Sequence, residues 1–307
     1  MNRSFSKLLG ALVASTLFLA MGTASAAPAT PTAPAARPPV PAPPAGPPME
    51  VDVNLILDVD VSASIDPQEA ELQRRGTVEA FLSKEVIQAI QAGSLGRIGV
   101  AVVYFSSRAY GYLSVPVNWM IVNDQKSASD FVKTLVAAPR RSAIGTSIAD
   151  AFELSQRLFE TSPYHASKEI IDVSGDGPNN AGRPVLDSRS EVLQRGVTIN
   201  GLPIINASTM QDLDKYYEGC VVGGPGAFVI TAKGFEDFAR AVRRKLVLEI
   251  SGLTPKDTPE TPRIVRVAAA GQNAAPARPN FRPLQPKVNP PYPGGCDFPL
   301  FGGYGFR

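Results

Sequence analysis

Asp60, Ser62 and Ser64 stand at alternate positions just after an apolar run, Leu55-Ile56-Leu57-Asp58-Val59. Side chains at alternate positions of extended chain can point the same way. One carboxylate and two hydroxyls converging on a point make a hard oxygen site, suited to Mg²⁺, Mn²⁺ or Ca²⁺. Two later stretches carry the same donor types. Ile144-Gly145-Thr146-Ser147 precedes a helical segment, and Val173-Ser174-Gly175-Asp176-Gly177-Pro178-Asn179-Asn180 follows a short apolar one. Asp60 and Asp176 with Ser62, Ser64 and Thr146 are enough donors for an octahedral divalent cation, some acting through water. A centre with so few carboxylates keeps its metal electrophilic. It would accept a carboxylate from a partner at an open position.

Bringing these residues together requires strands that end at one edge. Apolar runs bounded by turn signals read as buried strands. In open α/β sheets, ligands bind beyond the carboxyl ends of the strands. Residues 51–60 form the first such strand. Asp66 then caps a helix, Pro67 suits its first turn and Glu69 completes a capping-box spacing. That helix is expected to run to Gln91, with Gly93 as its stop. Further strands are expected at residues 97–105, 110–121, 169–173, 197–205 and 227–231. Helices are expected from Asp124 or Ser127 to about Val136, and near residues 146–159, 184–195, 210–217 and 235–248. Such alternation implies a parallel sheet covered on both faces. The short link between the second and third strands, and Pro116 in the third, suggest one antiparallel edge strand. The expected fold class is therefore α/β, a doubly wound, mostly parallel six-stranded sheet with one antiparallel edge strand and helices on both faces.

The 307-residue chain has a formal net charge of +2, which offers no electrostatic argument for nucleic acid or an anionic membrane. Arg3 and Lys7, a following apolar run and Ala24-Ser25-Ala26 read as a secretory signal peptide over residues 1–26. No later segment is long and apolar enough to span a bilayer, so no stable membrane insertion is expected after cleavage. The expected location is exported, either periplasmic or secreted. Residues 27–50, rich in Ala and Pro, read as a disordered linker, residues 51–250 as one domain, and residues 251–307 as a Pro- and Gly-rich tail. That tail reads either as unstructured or as a docking peptide for an envelope partner. The two cysteines are Cys220, in the domain, and Cys296, in the tail. An exported protein permits a disulfide between them, which would tether the tail; otherwise one is a core thiol and the other exposed.

In order and rough spacing, Asp60-x-Ser62-x-Ser64, Thr146 before a helix and Asp176-Gly177 after a strand resemble the metal-ion-dependent adhesion site of von Willebrand factor type A domains. The resemblance covers residues 51–250 and neither tail. Val59-Asp60-Val61-Ser62 and residues 217–229, with Glu218-Gly219-Cys220-Val221-Val222-Gly223-Gly224, more closely resemble a family of exported proteobacterial A-type proteins. The resemblance implies that Ser62, Ser64 and Thr146 contact the metal directly. Asp60 and Asp176 would act through water or move inward on ligand binding. It further implies a non-enzymatic module that binds a protein or cell-envelope ligand, a carboxylate of which completes the shell of Mg²⁺ (or Mn²⁺/Ca²⁺). Two positions depart from the family pattern. Asp58 stands where an apolar residue is usual, and either pairs with a basic residue or lies near the metal. Ser174-Gly175 precede Asp176 where threonine is commoner.

Two other readings use the same residues. Asp58-x-Asp60-x-Ser62 also resembles the nucleophile motif of haloacid-dehalogenase-type phosphatases, with Asp58 attacking phosphorus, Asp60 as acid/base and Lys168 neutralising phosphate. Asn180 departs from that pattern, where a second metal-binding Asp is expected, and Ser64 is left without a role. In the other, the fold is an assembly module with a vestigial metal site. His165, the sole histidine, reads as a solvated loop residue. Arg140-Arg141 reads as a solvated turn, or as a contact for an acidic partner beside the metal loop. Gly223-Gly224-Pro225-Gly226 reads as a tight turn before the last strand.

Overall fold

Eight consecutive residues of Val53–Asp60 are buried, so this strand has protein on both faces. It is the centre of the computed structural model, which describes residues 46–107, 112–206, 209–253, 264–266 and 295–298. The expected signal peptide, residues 27–45 of the linker and most of the C-terminal tail lie outside the described residues.

In chain order the elements are β1 (Met49–Val51), β2 (Val53–Asp60), α1 (Pro67–Leu82), α2 (Lys84–Gln91), β3 (Ile98–Phe105) and β4 (Leu113–Val122). There follow α3 (Gln125–Ala137), α4 (Ile148–Glu160), β5 (Tyr164–Ala166), β6 (Glu169–Gly175), α5 (Val185–Gln194), β7 (Thr198–Ile205) and α6 (Leu213–Tyr216). A π turn at Tyr217–Val221 continues α6, and β8 (Phe228–Ile230), β9 (Ala232–Lys233), α7 (Phe238–Ser251) and β10 (Ile264–Arg266) complete the described chain.

The main sheet runs β10-β8-β7-β6-β2-β3-β4, with β9 beside β7, giving eight strands among the described residues. Six of them, β8 to β4, form the expected sheet, in which β4 is the antiparallel edge. Beyond expectation, β10 adds an antiparallel strand at the other edge and β9 extends the sheet beside β7. Parallel pairing of β2 with both β3 and β6 carries three strand ends to one edge.

Alternation along β2 divides the core. Leu55, Leu57 and Val59 pack with Phe81 of α1, Ile90 of α2, Phe131 of α3 and Leu246 of α7. Ile56, on the opposite face, packs with Trp119 of β4 and Leu154 and Leu158 of α4, while Ile171 and Val173 of β6 meet Phe152 of α4 and Val185 of α5. Each such side chain withdrawn from water contributes about 1.5–3 kcal/mol.

Local signals set the helix ends. Asp66 accepts from the Gln68 and Glu69 amides at 2.7 and 2.9 Å, and Glu69 accepts from the Asp66 amide at 3.0 Å. The single helix expected to reach Gln91 is instead two. Ser83 adopts an extended backbone, and its hydroxyl accepts from the Val86 amide at 3.3 Å, capping α2. A serine hydroxyl offers the backbone this alternative to continuing the helix. A second difference concerns His165. It lies not in a loop but in β5, which pairs with β1 in a two-stranded parallel sheet. There it is exposed and pairs with Glu50 at 3.0 Å. Among the described residues no helix is long and apolar enough to cross a membrane.

Candidate metal centre

The carboxyl end of β2 delivers Asp60 to the sheet edge, and backbone bonds fix the loop beyond it. The Val61 amide donates to the Phe105 carbonyl at 2.8 Å, tying the loop to the end of β3. The Ala63 amide donates to the Ala143 carbonyl at 3.0 Å, bringing the segment before Thr146 alongside. The Ser147 amide donates to the Ser106 carbonyl at 2.8 Å, and the Ser147 hydroxyl caps α4 by accepting from Asp150 at 3.2 Å. α4 thus begins at the edge where β2, β3 and β6 end.

The third loop is clamped to the second by two asparagines. Asn180 accepts the Thr146 amide on Oδ1 at 2.7 Å and returns its own amide to the Thr146 carbonyl at 2.9 Å. Asn179 Oδ1 accepts the Ala149 amide, in the first turn of α4, at 3.1 Å. Sequence reasoning flagged this polar loop but gave the pair no structural role. Its signal was two adjacent amides after the Gly177-Pro178 turn.

Within this frame the predicted donors converge. The Ser62 amide donates to Asp60 Oδ1 at 2.7 Å. The Ser62 and Ser64 hydroxyls are 3.0 Å apart, and Ser64 donates to Asp176 Oδ1 at 2.9 Å. Thr146 is buried, with Oγ1 3.9 Å from the place a Cβ on Gly177 would occupy, beside Asp176. Ser64 is exposed, so the cluster opens to solvent on one side. The arrangement holds two carboxylates, and among the described residues no group of three His, Cys, Asp or Glu side chains gathers in a metal-binding arrangement.

The charges are poorly compensated. Burial, then the neighbouring Asp176 charge, pushes the Asp60 carboxyl up to about 7, against the Ser62 hydrogen bonds and Arg140. Asp176 is also pushed up, first by burial and further by Glu69, against the Ser64 hydrogen bond. Asp60 Oδ2 is buried and has no hydrogen-bond partner. A Cβ on Gly175 would come within 2.9 Å of that oxygen and 3.0 Å of the Tyr217 hydroxyl, also buried and unpartnered. Glycine before Asp176 therefore leaves room for both groups, and a threonine does not. The role of Tyr217 had no signal in the local sequence, because it arrives from the π turn beyond β7.

Three other residues differ from their sequence readings. Asp58 neither meets a basic residue nor reaches the cluster. It is fully buried against α4, where Ser155 donates to its Oδ1 at 2.6 Å and Oδ2 has no partner. Burial holds its carboxyl up at about 8, with a smaller push from Asp172. Arg140 is not a solvated turn residue. It donates to Gln73 at 2.7 Å and to the Asp60 carbonyl at 3.3 Å, with its guanidinium 5.9 Å from the centre of the Tyr104 ring. Lys168 precedes β6, at the end of the sheet opposite Asp176. Its Nζ is 2.6 Å from where a Cβ on Gly252 would sit. Eight residues of extended chain, about 25 Å, separate it from Asp176. Gly224 has φ of +95° in the turn before β8, a conformation that favours glycine.

Cys220, in the π turn, and Cys296, in the tail, form a disulfide with their Cα atoms 5.5 Å apart.

The model of the family described as "Protein of unknown function (DUF1194)" matches residues 50–254. No curated protein matches the chain. Among solved structures, proximal thread matrix protein 1 from the mussel byssus is similar, at TM-score 0.50 and 18% identity over 66% of this chain. The chain spans 49% of the length of that protein. A second structure of that matrix protein, described as having a zinc-occupied MIDAS motif, matches at TM-score 0.47 and 15% identity, covering 64% of this chain and 45% of that one. The vWF domain of the type V pili tip protein Mfa5 from Porphyromonas gingivalis matches at TM-score 0.46 and 10% identity, covering 68% of this chain and 99% of that one. The fold is that of von Willebrand factor type A domains.

Proposed function

The chain belongs to the DUF1194 family, whose description assigns no activity, and we propose that it is an exported module that binds a protein or cell-envelope ligand through a divalent cation. One observation carries this reading. Two buried carboxylates, Asp60 and Asp176, are both pushed toward their protonated forms, and a buried oxygen of Asp60 lacks any partner. Burying charge without compensation is costly, and buried charges are normally paired or bound to metal. A cation between these groups would relieve that cost.

The donor set fits such an ion. Mg²⁺ held octahedrally at about 2.0–2.1 Å has ligand–ligand edges of about 3 Å. The Ser62–Ser64 and Ser64–Asp176 separations of 3.0 and 2.9 Å match that edge. Ser62, Ser64 and Thr146 would hold the ion directly, with Asp60 and Asp176 acting directly or through water. Mg²⁺ is the first choice and Mn²⁺ the nearest substitute, with Ca²⁺ a looser fit. When bound, the ion supplies a Lewis-acidic position for a ligand carboxylate. Arg140 holds the backbone of Asp60, and the asparagine clamp holds Thr146 against the Asp176 loop. Ile144, 57% exposed on the loop before Thr146, offers the ligand an apolar contact beside the metal.

The phosphatase alternative gains no support. Its nucleophile, Asp58, is sealed against Ser155, and its phosphate-neutralising Lys168 is at the opposite end of the sheet. Titration calorimetry with Mg²⁺ and Mn²⁺ tests the proposal. Wild type is expected to bind, and Asp60→Ala, or Ser62→Ala with Ser64→Ala, to lose binding with circular dichroism unchanged. A folded Asp60→Ala variant that keeps full affinity would sink it.

A further inference from the structure

We infer that the C-terminal segment Gly295–Phe298 is a built part of the metal centre, with Asp297 as a positioning residue for the loop that carries Asp176. This rests on the reading of that loop as metal-binding, but its test has a metal-free arm. The segment makes five contacts with the 176–185 stretch and its supports. Asp297 Oδ1 accepts from the Asn179 side-chain amide at 3.1 Å and from the Val185 backbone amide at 2.9 Å. The Phe298 amide donates to the Asn179 carbonyl at 3.0 Å. The Tyr216 hydroxyl donates to the Cys296 carbonyl at 2.8 Å while accepting the Asn179 amide at 2.9 Å. The Tyr216 and Phe298 rings meet edge to face, with centroids 6.0 Å apart.

These contacts converge on Asn179, which is buried. Its backbone amide goes to Tyr216 and its carbonyl receives Phe298. Its side-chain nitrogen donates to Asp297 and, at 3.1 Å, to the Arg183 carbonyl. Its side-chain oxygen receives the Ala149 amide of α4. The residue between Asp176 and the Thr146 clamp is thus held on one side by α4 and on the other by the tail. Asp297 also does what the α5 start does not do for itself. The cap position of α5 is Pro184, with no side-chain cap, and the Val185 amide is satisfied from the tail instead. An acid at a helix N-terminus is favourably placed. The Cys220–Cys296 bond fixes the segment where these contacts form.

A tail that served only as a staple would change global stability and leave the loop and its metal affinity unaltered. Groups that orient metal ligands typically cost about 10–100-fold in affinity when removed. Asp297→Ala keeps the disulfide and is the decisive variant. It is expected to weaken Mn²⁺ binding by about tenfold and to speed hydrogen exchange at residues 176–186 in metal-free protein. Cys220→Ser with Cys296→Ser should do the same. Ile90→Val, on the buried face of α2, is the control, lowering stability without either change. Unchanged Mn²⁺ affinity together with unchanged exchange in Asp297→Ala overturns the inference. If wild type binds neither Mn²⁺ nor Mg²⁺, the metal reading fails and the positioning role stands or falls on the exchange result alone.

Discussion

At the scale of single residues, the cluster of Asp60, Ser62, Ser64, Thr146 and Asp176 was legible because its members sit in short local patterns. Asp60, Ser62 and Ser64 are adjacent in sequence, and Thr146 and Asp176 each mark an element end. Asp58 was not legible, because its role depends on what α4 places opposite it. Ser155 is 97 positions away in sequence. With its carboxyl held at about 8, Asp58 carries a proton at neutral pH, and an asparagine carries the same hydrogen-bonding shape. Asp58→Asn is therefore expected to leave Mn²⁺ affinity within about twofold and stability within about 1 kcal/mol, the range of a substitution that creates neither a cavity nor an unpaired charge. Calorimetry and urea unfolding check both. A phosphatase nucleophile would instead make the same variant lose all phosphate-ester hydrolysis. Gly175 gives the opposite case. A methyl group there meets Asp60 and Tyr217 within 3.0 Å. Overpacking of this kind costs about 1–3 kcal/mol, so Gly175→Ala should lower the urea midpoint and weaken metal binding together.

At the scale of elements, strand and helix alternation was readable from apolar runs and caps, which located β2, β3, β4, β6, β7 and β8 along the chain and marked β4 as the antiparallel edge. Two-residue β9, and β1 with β5, were not, since such short strands carry no period of their own. Nor was the polar cluster under α7. There Lys245 pairs with Asp172 of β6 at 2.7 Å and with Glu249 at 2.5 Å, all three buried. Asn200 of β7 donates to Glu249 at 2.8 Å. One cation faces two carboxylates, so one is short of charge. Burial, with help from Asp172 and against Lys245, pushes Glu249 up to about 8. The sign follows from linkage. The folded form holds this proton to about pH 8, whereas the unfolded chain releases it near the usual glutamate value. Between those limits the folded state binds more protons, so stability falls as pH rises from about 4.5 to about 8. Glu249→Gln keeps an acceptor for Asn200 and removes the titration. Its melting temperature should decline less than that of wild type between pH 5 and 8, and an unchanged slope would refute the assignment.

For the molecule as a whole, the proposed metal centre is where stability and binding would meet. Three loops from distant parts of the chain close over two buried carboxylates, and mutual repulsion there opposes folding of the metal-free form. The tail adds a covalent tie across 76 positions. A loop of that size is worth about 4–5 kcal/mol in the chain-entropy account. The tie was legible only as two cysteines in a chain read from its sequence as exported; its aim at the Asp176 loop depended on Asp297 and Phe298, which no local pattern marks. Because a cation would bind the folded state and not the separated loops, it must raise apparent stability. At a hundred times its dissociation constant the gain is about 2.7 kcal/mol. For a domain of this size 1 kcal/mol moves the midpoint by about 2–4 °C. Thermal unfolding in saturating Mg²⁺ or Mn²⁺ should therefore lie about 5–10 °C above that in chelator. Asp60→Ala should show no difference between the two conditions. Ca²⁺ discriminates further, since it prefers six to eight oxygens at 2.3–2.6 Å, wider than the spacing held by the two serines and Asp176. A smaller shift with Ca²⁺ than with Mg²⁺ at equal concentration is expected. An assembly module with a vestigial site requires no shift with any of the three ions, so one melting series separates it from a working adhesion-type centre.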